Sequence, residues 1–140
     1  MSNNDQVNFK WIIHTSRVEQ DYNELLADGA VLEETRPFDR TKEEGMDEYL
    51  IPEFEPLTII SGVLTLIIIV RKVIRLAKRQ RRGGVIIDAS KDPILIIEER
   101  ALERGEIVVI GTDGKKQYFK SDNYSKIPGW IKKILKRRRK

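Results

Sequence analysis

The chain has 140 residues, 40% hydrophobic and 34% charged, with a net charge of +4. That length holds one ordinary domain with a modest core, or a small domain plus a membrane-associated element, and excludes two large domains. Cysteine is absent, which removes a disulfide framework, a thiolate nucleophile and any cysteine-based zinc site from consideration.

The small net charge conceals an asymmetry. Residues 1–56 carry 5 Lys/Arg against 14 Asp/Glu, a net of −9, whereas residues 57–140 carry 21 against 8, a net of +13. A basic half of this strength points to an anionic partner, a lipid surface or a nucleic acid, unless the acidic half neutralises it within one fold. The first ten residues, "MSNNDQVNFK", lack the basic and apolar regions of a signal peptide, so membrane insertion would use an internal segment.

In chain order, "VNFKWIIHTS" alternates with Val7, Phe9, Trp11 and Ile13 on one face and predicts a half-buried strand. "SRVEQDYNELLADGA" predicts a short amphipathic helix. Ser16 and Glu19 form its capping box, Val18, Tyr22, Leu25 and Leu26 its apolar face, and Gly29 its stop. "AVLEET" is a second strand candidate. The acidic "RPFDRTKEEGMDEYLIPEFE" has no sustained period and reads as a loop, which closes an acidic β-α-β segment over residues 1–55.

Residues 56–82 are expected to form one hydrophobic helix with a basic end. The uncharged run over residues 57–70 is longer than a typical buried strand, with strand as the alternative for "LIIIV". Its 14 residues cover roughly 21 Å as a helix, short of the ~30 Å hydrocarbon core. Snorkelling Arg71, Lys72 and Arg75 extend the usable stretch to Leu76, which makes the segment a candidate single transmembrane span. The membrane-embedded residues would then be Leu57, Ile59, Ile60, Val63, Leu64, Leu66, Ile67, Ile68, Ile69 and Val70. Acidic residues precede the run and Arg71, Lys72, Arg75, Lys78, Arg79, Arg81 and Arg82 follow it, so the basic side belongs in the cytoplasm. The end of the run is also amphipathic, as in a helix that faces a core. Lysine at Ile67 and Ile68 separates the alternatives, since it would unfold a soluble core but spare the β domain of a membrane protein.

Residues 83–122 read as a β meander with strands over residues 85–88, 94–98, 106–110 and 116–119, and with Asp113-Gly114 as its strongest hairpin signal. "VIID", "ILII" and "IVVI" are apolar on both faces and need covering on both, by the first helix and by the hydrophobic one. Residues 123–140 predict a basic amphipathic helix. Ile127, Trp130, Ile131, Ile134 and Leu135 form a stripe opposite Lys132, Lys133, Lys136, Arg137, Arg138, Arg139 and Lys140, which suits an anionic membrane interface or a helix packed on the sheet. The basic clusters and Trp130 are thus the candidate contacts to an anionic lipid or other anionic partner. Nucleic acid is less favoured, because no aromatic stacking platform accompanies the charges.

Chemistry is sparse. His14 is the single histidine, and "HTS" lacks the spatial arrangement of a triad. Asp88, Asp92 and Asp113 sit in turn contexts without a metal-binding spacing, and no glycine loop cradles a phosphate. The expectation is no enzyme activity, no cofactor and no metal.

The order of strand, helix, strand and hydrophobic helix with a basic end, followed by "GGVIID…DPILIIEERALERGEIVVIGTDGK", resembles small bacterial proteins grouped as effector-associated constant components of NTPase- and protease-centred conflict systems. The resemblance spans most of the chain in layout and implies an accessory or effector component of a bacterial antiviral defence system without catalysis of its own. The aliphatic run and the basic tail depart from that pattern. The fold class expected is α+β, a small mixed sheet with three helices. Two functions remain open. One is a membrane-associated protein at the inner membrane, its basic C-terminal domain cytoplasmic, that self-associates or binds a protein partner. The other is a soluble, cytoplasmic adaptor whose hydrophobic helix is core.

Overall fold

A computed structural model describes residues 6–39, 56–79 and 83–138, the last two of them by backbone only. Three α-helices lie against one seven-stranded mixed sheet. In chain order these are β1 (Gln6–His14), a 3-10 turn (Thr15–Arg17), α1 (Val18–Ala27), β2 (Val31–Pro37), β3 (Leu57–Thr65), α2 (Leu66–Arg79), β4 (Gly84–Asp88), β5 (Ile94–Glu99), β6 (Ile107–Ile110), β7 (Lys116–Phe119), a second 3-10 turn (Tyr124–Lys126) and α3 (Ile127–Arg138). The strand order is β2-β3-β1-β5-β4-β6-β7. Pairings are antiparallel except β1 with β5 and β4 with β6.

The expected hydrophobic helix over residues 57–78 is corrected by this topology. Its first nine residues form β3, which pairs antiparallel with β1 from Gln6↔Thr65 to His14↔Leu57 and with β2 on its other side. The helix begins directly at Leu66. β-branched Thr58, Ile59, Ile60, Val63 and Thr65 suit a pleated strand, but Ile67–Val70 of α2 are β-branched too, so what distinguishes β3 is its pairing on both edges and the Ser61-Gly62 interruption. Gly62 meets a further demand, since a Cβ there would lie 2.3 Å from the Val31 carbonyl oxygen of β2. The "LIIIV" stretch, for which strand was the alternative, is the first turn of α2. Leu66, Ile69, Val70, Val73 and Ala77 recur at helical spacing and are buried on the sheet. Among the described residues no helix is long and apolar enough to cross a membrane, so the single transmembrane helix is not part of this fold.

The other elements follow their local signals more closely. β1 forms where alternation places it, with Phe9, Trp11 and Ile13 in the helix-covered core and Ile12 buried on the opposite face. The capping box at Ser16 does not form, because a 3-10 turn takes Thr15–Arg17 and α1 starts one residue late, with Arg17 at its N-cap and no side-chain cap. At its end Gly29 adopts φ +98°, its N–H donates to the Leu26 carbonyl at 3.1 Å, and the Ala30 N–H donates to Leu25 at 3.0 Å. This left-handed glycine cap is the stop that the sequence announced. The 83–122 region has all four strands, but β4 sits between β5 and β6 and runs parallel to β6, so it is not a meander. At the β6–β7 turn only Gly114 takes positive φ, +79°, so the connection is a longer loop and not a two-residue hairpin turn.

The sheet carries apolar side chains on both faces, as "VIID", "ILII" and "IVVI" require. All three helices contribute to one face, where Leu25, the buried side of α2, and Ile127, Ile131 and Ile134 of α3 meet Phe9, Ile60, Leu64, Val85, Ile96 and Phe119. The expectation of a helix on each face is therefore wrong for the described residues. The second face groups Ile12, Ile59, Ile86, Leu95, Ile97, Val108 and Ile110 with Phe38, Leu57 and Leu102.

This burial pattern separates neighbouring isoleucines. Ile69 is 1% exposed and Ile67 37%. Ile69→Lys should lose at least about 3 kcal/mol of unfolding free energy by burying an unpaired charge, whereas Ile67→Lys should lose less than about 1 kcal/mol, measured by urea denaturation.

Candidate functional site

The ten aliphatic residues expected in a membrane are distributed over β3 and α2. Ile59, Ile60, Leu64, Leu66, Ile69 and Val70 are buried, Leu57, Val63 and Ile68 are half-buried, and Ile67 is exposed. The basic residues that follow them do not form one patch. Arg71, Arg75, Lys78 and Arg79 are exposed on α2, while Lys72 is drawn inward with a side chain only 10% exposed. Its Nζ sits 2.6 Å from Asp28 Oδ2 and 3.9 Å from Glu24 Oε2, at the C-terminal end of α1, where the helix dipole disfavours carboxylates. Arg81, Arg82, Arg139, Lys140 and the side chains of Arg137 and Arg138 lie outside the described residues.

The second basic cluster keeps its charges outward. α3 spends Ile127, Ile131 and Ile134 on the core, which leaves Trp130, Lys132, Lys133 and Lys136 exposed. Trp130 is 40% exposed and Lys133 Nζ lies 5.9 Å from its ring centroid, a cation–π distance. α3 is held in place by the turn before it: the Tyr124 hydroxyl donates to the Gly105 carbonyl in the β5–β6 connection, and burial pushes the Tyr124 pKa up.

The fold adds two cations that the sequence did not place here. The β6–β7 hairpin brings Lys115 and Lys116 beside Trp130 and Lys133, around an open depression of about 1050 Å³ that Gln117 and Thr112 also line. The single carboxylate in this wall, Asp113, is occupied in its own turn, where Oδ1 accepts the Lys115 N–H at 3.0 Å. Lys115 and Lys116 flank the Asp113-Gly114 signal, so their proximity to each other was legible, while their proximity to α3 was not.

A different site lies between α1 and α2 over the sheet, a cleft of about 610 Å³ with its open mouth included. Trp11, Ile13 and Ile60 form its floor, Arg17, Asp21, Glu24 and Leu25 its α1 wall, and Lys72, Arg75, Leu76 and Arg79 its α2 wall. Arg17 donates through Nη2 to Glu98 Oε2 at 2.6 Å, and His14 Nε2 is 3.5 Å from the same oxygen. His14 thus joins Arg17 and Glu98 in a polar cluster at the end of β1. Trp11 is 6% exposed and its indole N–H is buried without a hydrogen-bond partner among the described residues, as is the Nε–H of Arg17. A buried donor left unpaired costs roughly 1–3 kcal/mol, so both groups call for an acceptor.

Asp88, Asp92 and Asp113, weighed earlier as ligands, do not converge. Asp88 is buried but accepts the Ser90 N–H at 3.0 Å as an ordinary turn cap. Among the described residues no group of three or more His, Cys, Asp or Glu side chains could hold a metal ion.

Asp21 gives this cleft a measurable pH signature. Partial burial raises its pKa, and Glu24 and Glu98 add to that, against the opposing pull of Arg17 and Lys72. The folded state therefore holds the Asp21 proton to higher pH than the unfolded chain does. The associated stability is fully present below the unfolded carboxylate pKa and is lost as pH rises through the raised folded value. Asp21→Asn should accordingly stabilise the protein at neutral pH, and its advantage over wild type should close as pH falls into the ordinary carboxylate range, read by urea denaturation across that interval.

No family model, curated protein or solved structure matches this chain.

Proposed function

We propose that the chain is a non-catalytic α+β binding module that attaches peripherally to an anionic membrane surface through α3 and the β6–β7 hairpin. The observation that carries this is the division of α3: its aliphatic side is consumed by the core, while Trp130, Lys132, Lys133 and Lys136 stay outside, next to Lys115 and Lys116. Five lysines facing an anionic leaflet contribute about 1 kcal/mol each, and a tryptophan among them sits well at headgroup level. The sequence "RRRK" at residues 137–140 contributes four further cations to the same end of the chain. Because Ile127, Ile131 and Ile134 are engaged in the sheet, attachment is electrostatic and superficial. On the cytoplasmic leaflet of the inner membrane, such a module would serve as an accessory or effector component of a defence system, through self-association or a protein partner.

A soluble adaptor is the second reading. What favours it is the placement of the aliphatic run in the core, which that role requires.

Sedimentation with phosphatidylglycerol-rich vesicles distinguishes the two. Membrane attachment predicts co-sedimentation that high salt releases, that phosphatidylcholine vesicles do not support, and that Lys132→Glu/Lys133→Glu/Lys136→Glu weakens by about 100-fold or more. Failure to sediment at low salt leaves the adaptor, and tighter binding to single-stranded RNA than to vesicles transfers the surface to nucleic acid.

A further inference from the structure

We infer that the cleft between α1 and α2 is a binding site for a small organic phosphate, a molecule with an anionic end and an apolar or aromatic body. It is separate from the α3 surface and does not depend on it. Two observations carry the inference independently. The first is the pair of buried donors, the Trp11 indole N–H and the Arg17 Nε–H, which line the same cleft and have no acceptor among the described residues. The second is the charge balance of the walls. Lys72 is neutralised by Asp28 and Glu24, and Arg17 faces Glu98 and Asp21, the other carboxylate of the α1 wall, but Arg75 and Arg79 make no ion pair among the described residues.

Arg75 and Arg79 are four residues apart on α2 and therefore present their guanidinium groups on one helical face at the mouth of the cleft. Guanidinium groups suit the oxygens of a phosphate, which can accept two parallel N–H bonds from each. Deeper in, Ile13, Leu25, Ile60 and Leu76 offer an apolar wall beside the indole. A small inorganic anion would satisfy the mouth and leave that wall idle. An organic phosphate occupies both, with an acceptor on its body for the Trp11 and Arg17 donors. The combination of apolar walls with a few placed polar groups is the usual construction of small-molecule sites.

The protein contains two tryptophans, Trp11 and Trp130, so Trp130→Phe leaves Trp11 as the single indole reporter. The full chain with that substitution is titrated with AMP, ATP, glycerol 3-phosphate and inorganic phosphate, followed by Trp11 emission and by calorimetry, without vesicles. A saturable response to a nucleotide, weakened at least about tenfold by Arg75→Ala/Arg79→Ala with the thermal midpoint unchanged, is the expected result. Glycerol 3-phosphate has no apolar body, so a response to it as tight as to nucleotide would overturn the assignment of the apolar wall to the ligand. No saturable response to any of the four, inorganic phosphate bound as tightly as the organic compounds, or a response that the double arginine variant leaves unchanged would each overturn the inference.

Discussion

The fold depends on the way one aliphatic stretch is divided between two kinds of packing. From Leu57 to Thr65 the chain is a strand held by β1 and β2, and from Leu66 it is a helix lying back on the same sheet. The division requires no turn residue, because the hydrophobic period itself changes. β3 buries Ile59 and Ile60 on opposite faces, while α2 keeps Leu66, Ile69, Val70 and Val73 on one side. Burying those four helix side chains is worth roughly 6–12 kcal/mol before entropy, comparable to the whole net stability of an ordinary domain. The position of α2 in turn sets the cleft against α1 and the placement of Lys72.

Charge is organised by the same packing. The acidic and basic halves of the chain partly neutralise each other where α1 meets α2, as in Lys72 with Asp28 and Glu24, while Arg17 of the acidic half pairs with Glu98 of the basic half. The first contact draws Lys72 out of the basic surface to which sequence order alone would assign it. What remains divides into two regions of different character. Around α3 the charges stand on a convex helix and an adjacent hairpin and suit an extended anionic surface. Between α1 and α2 they border a cleft with an apolar floor.

Much of the secondary structure was legible because the signals were local. The four strands over residues 84–119 were marked by turn residues and by aliphatic runs without polar interruption, and α3 by its 0, 3, 4, 7 stripe from Ile127. The Gly29 stop was legible because positive φ is a property of the residue itself. The capping box at Ser16 was a signal of the same kind, yet it lost to a tertiary demand. Thr15 is tied to the neighbouring strand's edge, its N–H donating to Pro56 and its hydroxyl 2.9 Å from that of Thr58, and this holds the chain in a 3-10 turn where the cap would have formed.

By itself the sequence determined which segments are apolar, where turns interrupt them, and that its second half carries an excess of cations. These are properties of single residues and of their spacing along the chain. Only the tertiary structure decided that residues 57–65 are a strand, since strand formation depends on neighbours supplied by β1 and β2, more than forty and twenty residues away in register terms. It also decided that β4 lies between β5 and β6, that all three helices share one face, and that Lys115 and Lys116 join α3 while Lys72 does not. Each of these turns on which surfaces are left to be buried once the others have paired, a competition between distant segments that no local period records.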